Sequence, residues 1–572
     1  MEAPQDHDKM IEEPLLSKPK GGFKTMPFII ANEAFEKVAS YGLMPNMILY
    51  LTREYGLGAA EAANALFFWS AGINFTPILG AFVADSYVGR YWMIGFGSIA
   101  SLLGVFILWL TAVIPIARPQ QCTQLISCES ATPLQLLLLY SSLAIMSIGA
   151  GGIRSCSMAF GANQLIRDNL KDAGLRETFF SWYYVSVAVS IVIAMTIIVY
   201  IQDAFGWSVG FGVPVLLMLF SLVSFFMASH LYIKSKANES LLTGLVQVLT
   251  AAYKNRGIQL EFQSTDHILY HSREGSVLSA LSEEFLNKAC IIRNPEKDLT
   301  PDGRASDPWS LCTVDQVEEL KAIIKIIPIW SAGMIASVTV TQGSFFILQA
   351  TTMDRHITSN FQIPAGSVTV FMVGSIAVGI AIYDRVIVPL ASRIKGKSCR
   401  LSLKQRMGVG ILLSSMSMVA FAISERVRRE TAIEEGYLDE PNAVVNMSVM
   451  WLLPGLILNG FTEAFNGIGQ NEFFYTELPT SMASIATTLY WTGLSVASLV
   501  ASLIMSIIDY VTTRGGKESW ISTNLNKGHY DYYYWVLAIM SLANFAYYYA
   551  CCKTYGTSRA DGGMAVEERN KE

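Results

Sequence analysis

"NEAFEKVASYG", residues 32–42, sets three charges into a run that is otherwise apolar from Phe28 to Tyr50. A helix facing lipid has no reason to carry them, because an ionisable residue at the bilayer centre costs roughly 2.5 to 3.5 kcal/mol. Glu33, Glu36 and Lys37 are spaced i, i+3, i+4, so on a helix all three share one face. That face is expected to point into a bundle, which makes the stretch the charged interior of a larger membrane protein.

The rest of the chain agrees. Its 572 residues are 52% hydrophobic and only 15% charged, well below the roughly 25% of a soluble domain. Apolar stretches long enough to cross a bilayer recur twelve times, six on each side of a polar insert. The division is a tail at 1–27, a six-helix half at 28–233, a linker at 234–319, a second half at 320–552 and a tail at 553–572. The polar, acidic N-terminal tail has no signal-peptide core, so the first span is expected to direct insertion. If both tails and the linker share one side, that side's loops hold 27 of the 41 Lys and Arg, against 9 in the opposite loops. The positive-inside rule then places tails and linker in the cytosol. Within the linker, "EGSVLSALSEEFLNKACII" at 274–292 predicts an amphipathic helix along that face.

Several reaction classes drop out. The net charge is −5 and no basic stripe is present, so nucleic acid is not an expected partner. "GFGSIA" at 95–100 lies inside an apolar span and follows no strand, so it reads as helix packing and not as a dinucleotide loop. No Walker, HExxH or GxSxG motif occurs, the histidines lack metal-ligand spacing, and the cysteines form no CxxC pair. Cys122 and Cys128 share one polar loop, on the non-cytosolic side by the charge rule, where a disulfide is open to them. The expectation is a non-enzyme with no metal or organic cofactor, driven by an ion gradient.

Charge recurs in other spans. Arg154 closes the fourth in "GAGGIRSC", Glu463 and Glu472 lie in and just past the tenth, and Asp384 and Arg385 adjoin in the eighth. A base on span 4 and a carboxylate on span 10 are placed to pair across the two halves, closing and opening as an alternating-access gate requires. Asp384 and Arg385 either satisfy one another or serve a separate function.

These segments resemble the plant nitrate and peptide transporters, a branch of the proton-coupled oligopeptide transporters in the major facilitator superfamily. The resemblance runs nearly the whole length, through "NEAFEKVASYG", "GAFVADSYVGRYW" at 80–92, "GGIRSC", "FFSWYY" at 179–184, "IKIIPIW" at 324–330, "IYDRVIVP", "QRMGVG" at 405–410, "EAFNGIGQNEFFY" and "GHYDYYYW" at 528–535. It is strongest toward the subgroup containing low-affinity nitrate carriers. It implies an all-α membrane protein of the major facilitator fold, with twelve transmembrane helices in two six-helix halves around a central cavity. Glu33, Glu36 and Lys37 match the family's proton-coupling ExxE[K/R] motif, Arg154 stands where most members have Lys, Glu472 matches the carboxylate paired with it, and Asp85 and Arg90 match the loop that locks the cytosolic side. Val340 replaces the span-7 histidine that contacts nitrate in a dual-affinity carrier, and Met93 replaces its phosphorylatable Thr, so affinity switching there is not expected.

The function expected is proton-coupled transport of a small solute across a plant membrane. Nitrate is one candidate, favoured by Arg154 and Lys37. A bulkier organic solute, such as a hormone or a glycosylated metabolite, is the other, favoured by an apolar cavity of Tyr41, Trp330, Val340 and Phe345, with Gln342 beside them. A peptide symporter and a solute sensor are the alternatives. "IEEPLLS" at 11–17 resembles a dileucine sorting signal, leaving plasma and vacuolar membranes both open.

Overall fold

A computed structural model describes residues 21–119, 130–165, 172–234, 241–257, 270–271, 284–301, 303–396 and 400–556. The first half contains α1 (Met26–Arg53), α2 (Ala59–Val88), α3 (Arg90–Val113), α4 (Pro133–Asn163), α5 (Thr178–Phe205) and α6 (Trp207–His230). The linker contributes α7 (Leu241–Lys254). The second half contains α8 (Val314–Thr351), α9 (Ala365–Ile394), α10 (Leu403–Glu434), α11 (Leu453–Thr462 and Ile468–Glu477, joined by the wide turn Glu463–Gly467), α12 (Ile485–Thr512) and α13 (Tyr530–Tyr555). Thus twelve long helices, six in each half, stand where twelve spans are expected.

Ten of the twelve are apolar and long enough to cross a membrane on composition alone. The other two are α1 and α11, the helices that carry Glu33, Glu36 and Lys37, and Glu463 and Glu472. Large exposed apolar side chains such as Phe68, Leu216 and Ile539 supply the lipid-facing surface, as expected where the solvent is hydrocarbon.

Local chemistry sets the helix ends. Thr132, Thr313 and Ser402 each open a helix with a reciprocal capping box to a Gln three residues on, satisfying donors that would otherwise be orphaned. Gly89 and Gly206, at φ 82° and 81°, make the one-residue turns into α3 and α6; a side chain there would be strained. Inside the first half α3 and α4 pack backbone to backbone: a Cβ on Gly97 would lie 2.8 Å from the Gly149 carbonyl oxygen and 3.0 Å from the Gly152 Cα. The "GFGSIA" segment therefore does serve helix packing.

Three sequence-based boundaries shift. α8 begins at Val314, inside the expected linker. α10 runs to Glu434, so its helix continues through the charged "ERVRRE" at 425–430, past the end of the apolar run. The expected amphipathic helix at 274–292 falls partly outside the described residues. Its described part forms only the short turns Glu284–Asn287 and Lys288–Cys290, packed against α7, which is itself the amphipathic helix of the linker. Cys122, Cys128 and the "IEEPLLS" segment also lie outside the described residues.

The halves meet mainly through α2 and α12. Ser495 Oγ donates to the Ala71 carbonyl (2.9 Å), Ser498 Oγ to Ser70 Oγ (3.2 Å), and Ser502 Oγ and Ser506 Oγ both reach Asn64. Ser367 Oγ adds a bond to the Met195 carbonyl, and Arg355 approaches Asp203 at 4.0 Å. Among the described residues, these cross-half polar contacts lie from the middle of the bundle toward the face opposite the linker.

Candidate functional site

The charged face of α1 is buried: Glu33 is 3%, Glu36 1% and Lys37 8% exposed. Lys37 Nζ lies 3.3 Å from Glu33 and 3.7 Å from Glu36. From α4, Arg154 grips Glu36 with Nη2 at 2.9 Å and with Nε at 3.2 Å from both carboxylate oxygens. Ser40 Oγ, one turn further along α1, donates to the same carboxylate at 2.6 Å. The Tyr41 ring sits under both cations, 5.8 Å from Lys37 and 5.6 Å from Arg154. Two carboxylates and two cations thus balance in one desolvated cluster, in which each charge is affordable only because its partner is present.

Beside the cluster lies a cavity of about 390 Å³ between the halves. The first half lines it with Tyr41, Met44, Phe67, Asn74 and Arg154, and the second with Val340, Ile347, Met372, Glu463, Tyr490 and Trp491. Glu463 accepts a short hydrogen bond from the Tyr490 hydroxyl. It sits in the wide turn Glu463–Gly467, the kind of local distortion that re-aims side chains at functional positions.

Five expectations are corrected here. In this conformation Arg154 is not paired with Glu472. That carboxylate is 52% exposed and bound to Arg406 of α10 at 2.8 Å. The carboxylate of α11 that reaches the cavity is Glu463, whereas Glu472, beyond the wide turn Glu463–Gly467, is not among the cavity's lining residues. Trp330 does not line the cavity, because its Nε1–H donates to the Leu489 carbonyl at 2.8 Å and the ring packs beside Gly493. Gln342 is fully buried outside it, accepting from the Tyr533 hydroxyl at 2.9 Å, and Phe345 is packed between Tyr530 and Tyr533. Asp384 pairs with Arg400 at 3.1 Å and not with Arg385, since adjacent helical residues do not face each other. Asp85 and Arg90 do come together, at 3.1 Å, and Val340 does line the cavity.

Ser40, Asn74 and Tyr490 were not anticipated. Asn74 carries a visible signal, as one of two amides, with Asn64, in a largely apolar span; Tyr490 carries none, because it lies on a different helix from its partner.

Residues 91–521 match the POT family. The chain belongs to the POT family of secondary transporters. Among POT-family relatives it is similar to Protein NRT1/PTR FAMILY 1.2 of Arabidopsis thaliana, 52% identical over 94% of this chain and 90% of that one. It is also similar to NRT1/PTR FAMILY 1.1 of the same plant, 49% identical over 99% of each. An auto-inhibited POT family peptide transporter of known structure has the same fold, with a TM-score of 0.67 at 18% identity, covering 93% of this chain and 98% of that one. The POT assignment makes the protein a multi-pass membrane transporter and not an enzyme.

Proposed function

We propose that this POT-family protein is a proton-coupled carrier of an organic solute that has an apolar body and an acidic group. The observation that carries the reading is the cavity itself. Its volume of about 390 Å³ falls within the roughly 300–1,000 Å³ typical of sites for drug-sized ligands. Its walls are largely Met, Phe, Ile, Val and Trp side chains. Nitrate, with four heavy atoms, leaves most of that surface unused.

Coupling follows from that competition. While Glu36 is ionised it occupies the guanidinium fork of Arg154. A proton on Glu36 weakens the grip and frees the planar fork for a substrate carboxylate, which it matches in geometry. Proton and anion therefore enter together, with Tyr41 and Asn74 in position to orient the solute. The α2–α12 hydrogen bonds hold the far face shut, so this conformation exchanges solute on the linker side. When the halves rock to close that side, Arg154 and Glu463, which line the same cavity, are the pair expected to meet. With the linker in the cytosol, as the loop charges indicate, an acidic compartment across either the plasma or the vacuolar membrane drives solute inward to the cytosol. Val340 in place of a histidine, and Met93 in place of a threonine, fit a carrier without the phosphorylation-dependent nitrate switch.

The test is uptake by a heterologous cell of labelled organic acids, glycosides, dipeptides and nitrate in acidic and neutral medium. Acid-stimulated uptake of an organic acid, lost in Arg154→Ala, is the expected result. Acid-stimulated uptake of nitrate alone overturns the substrate class, and binding without uptake of any solute makes the protein a sensor.

A further inference from the structure

We propose that His529 and Arg429 form a proton-sensitive latch on the face opposite the linker. With His529 neutral, the latch seats the loop between α12 and α13, residues 513–529, on the first half; a proton on His529 unseats it. The loop reaches the first half at the start of α2, where Thr523 Oγ1 accepts from the Ala59 amide at 3.2 Å. Ile521 and Leu525 of the loop are buried in the same apolar cluster as Leu57 and Ala62 of the first half. By the loop charges this face lies away from the cytosol, toward the acidic compartment of the proposed transport.

His529 closes the base of the loop. Its amide donates to the Trp520 carbonyl at 2.9 Å, its ring stacks on Tyr532 at 4.7 Å, and Trp520 meets Tyr532 edge-on at 5.3 Å. One residue on, the buried Tyr530 hydroxyl donates to the carbonyl of Ser522, next to Thr523, at 2.8 Å. From α10, Arg429 Nη2 stands 3.4 Å from His529 Nε2. A guanidinium can only donate, so Nε2 is the acceptor, and the proton of the neutral ring is on Nδ1, 3.6 Å from Asp531 Oδ1. The one ring lone pair that an incoming proton can take is therefore the one that holds Arg429.

Protonation turns that hydrogen bond into two cations in contact. Burial holds the ring below its ordinary histidine value, Arg429 pushes it the same way, and Asp531 opposes them. The other charges nearby have partners of their own: Arg426 pairs with Glu430 at 2.9 Å, Lys527 with Asp439 at 2.7 Å, and Glu518 accepts from Ser522. His529 also precedes the first turn of α13, where the helix dipole disfavours a cation. A base held down in the seated loop binds its proton more readily once the loop lifts, so lifting takes up a proton. The seated form therefore loses ground as pH falls through about 6.5, and the contact at Ala59 is released when protons are available for loading.

The experiment is hydrogen–deuterium exchange of the purified full-length protein at about pH 7.5 and about pH 5.5, on either side of the ordinary histidine value, each corrected for its intrinsic rate. In wild type, the amides of residues 513–530 and of Ala59 are expected to lose protection in acid. The loss should reach up to about tenfold for each pH unit between the seated and the free titration of His529. His529→Gln keeps an acceptor for Arg429 but cannot take a charge, and should show equal protection at both values. Arg429→Gln removes the opposing cation and should be equally insensitive to pH. Glu36→Gln should respond as wild type does, which separates the latch from the coupling cluster. Wild-type protection that does not change with pH, a response that survives in His529→Gln or Arg429→Gln, or one that disappears in Glu36→Gln overturns the proposal.

Discussion

Glu36 is the residue on which coupling turns, since two hydrogen-bond donors, Ser40 and Arg154, and the ammonium of Lys37 at 3.7 Å converge on it. Glu36→Gln keeps the shape and removes the ionisable oxygen, so uptake should no longer rise in acidic medium while the protein still reaches the membrane. Acid-stimulated uptake that persists in this variant removes Glu36 from the coupling role. Glu463 and Glu472 offer a second, sharper contrast, because sequence resemblance pointed to one and the cavity contains the other. Glu463→Gln is expected to lower the transport rate by about tenfold or more, which corresponds to about 1.4 kcal/mol. Glu472→Gln loses a partly exposed bond to Arg406 and should stay within about twofold, as surface pairs contribute about 1 kcal/mol or less. The reverse order in an uptake assay would restore Glu472 to the gate. The charges of α1 were legible because i, i+3, i+4 spacing is a property of one helix. The pairings were not, because Arg154 meets Glu36 rather than α11 only through how six helices pack.

At the scale of elements, charge within a span does not always signal transport. α10 buries Glu425 and Arg428 to 1% exposure or less, far from the cavity lining. Arg428 forms a fork on Glu425 at 2.8 Å and also donates to Thr352, Asn526 and the Leu525 carbonyl. The network ties α8, α10 and the loop before α13 together at the face opposite the linker. Arg428→Met leaves an unpaired buried carboxylate and should cost about 3 to 5 kcal/mol, seen as a lower melting temperature. The double variant Arg428→Met/Glu425→Leu should recover part of that loss, whereas no recovery means that the other Arg428 bonds dominate. Sequence alone does not reveal this burial, since a Glu and an Arg three residues apart look solvated until the packing is known. The linker is a further case where composition misleads. Its polar sequence hides a small core in which Cys290 and Cys312 pack with Val248 and Val317. Burial pushes the Cys290 thiol up to about 12 and the Cys312 thiol up to about 11. Since the thiolate is the reactive form, both should resist iodoacetamide at about pH 8 in the folded protein and react once denatured. Rapid labelling of the native chain would show that the linker core opens.

For the whole molecule, the arrangement of polar contacts between the halves assigns a conformational state. Six-plus-six architecture follows from the apolar runs alone, but which face is closed depends on what the serine stripe of α12 meets, and the spacing within α12 does not name its partner. Ser495, Ser498, Ser502 and Ser506 lie at i, i+3, i+7 and i+11 along one stripe of α12, and all four bond to α2. Hydroxyl pairs of this kind contribute about 0.6 kcal/mol each within membrane bundles, so the closure is held by many small terms and can be reversed by substrate and proton. If transport needs this seam to part, locking it should stop turnover. Ser70 and Ser498 place their hydroxyl oxygens 3.2 Å apart, close enough for sulfur in the same positions to form a bond of about 2.05 Å with slight adjustment. The variant Ser70→Cys/Ser498→Cys should transport while reduced, lose uptake on oxidation and regain it with reductant. Each single-cysteine variant should be unaffected by the same treatment. Undiminished uptake by the crosslinked protein would mean that the halves exchange solute without separating along α2 and α12.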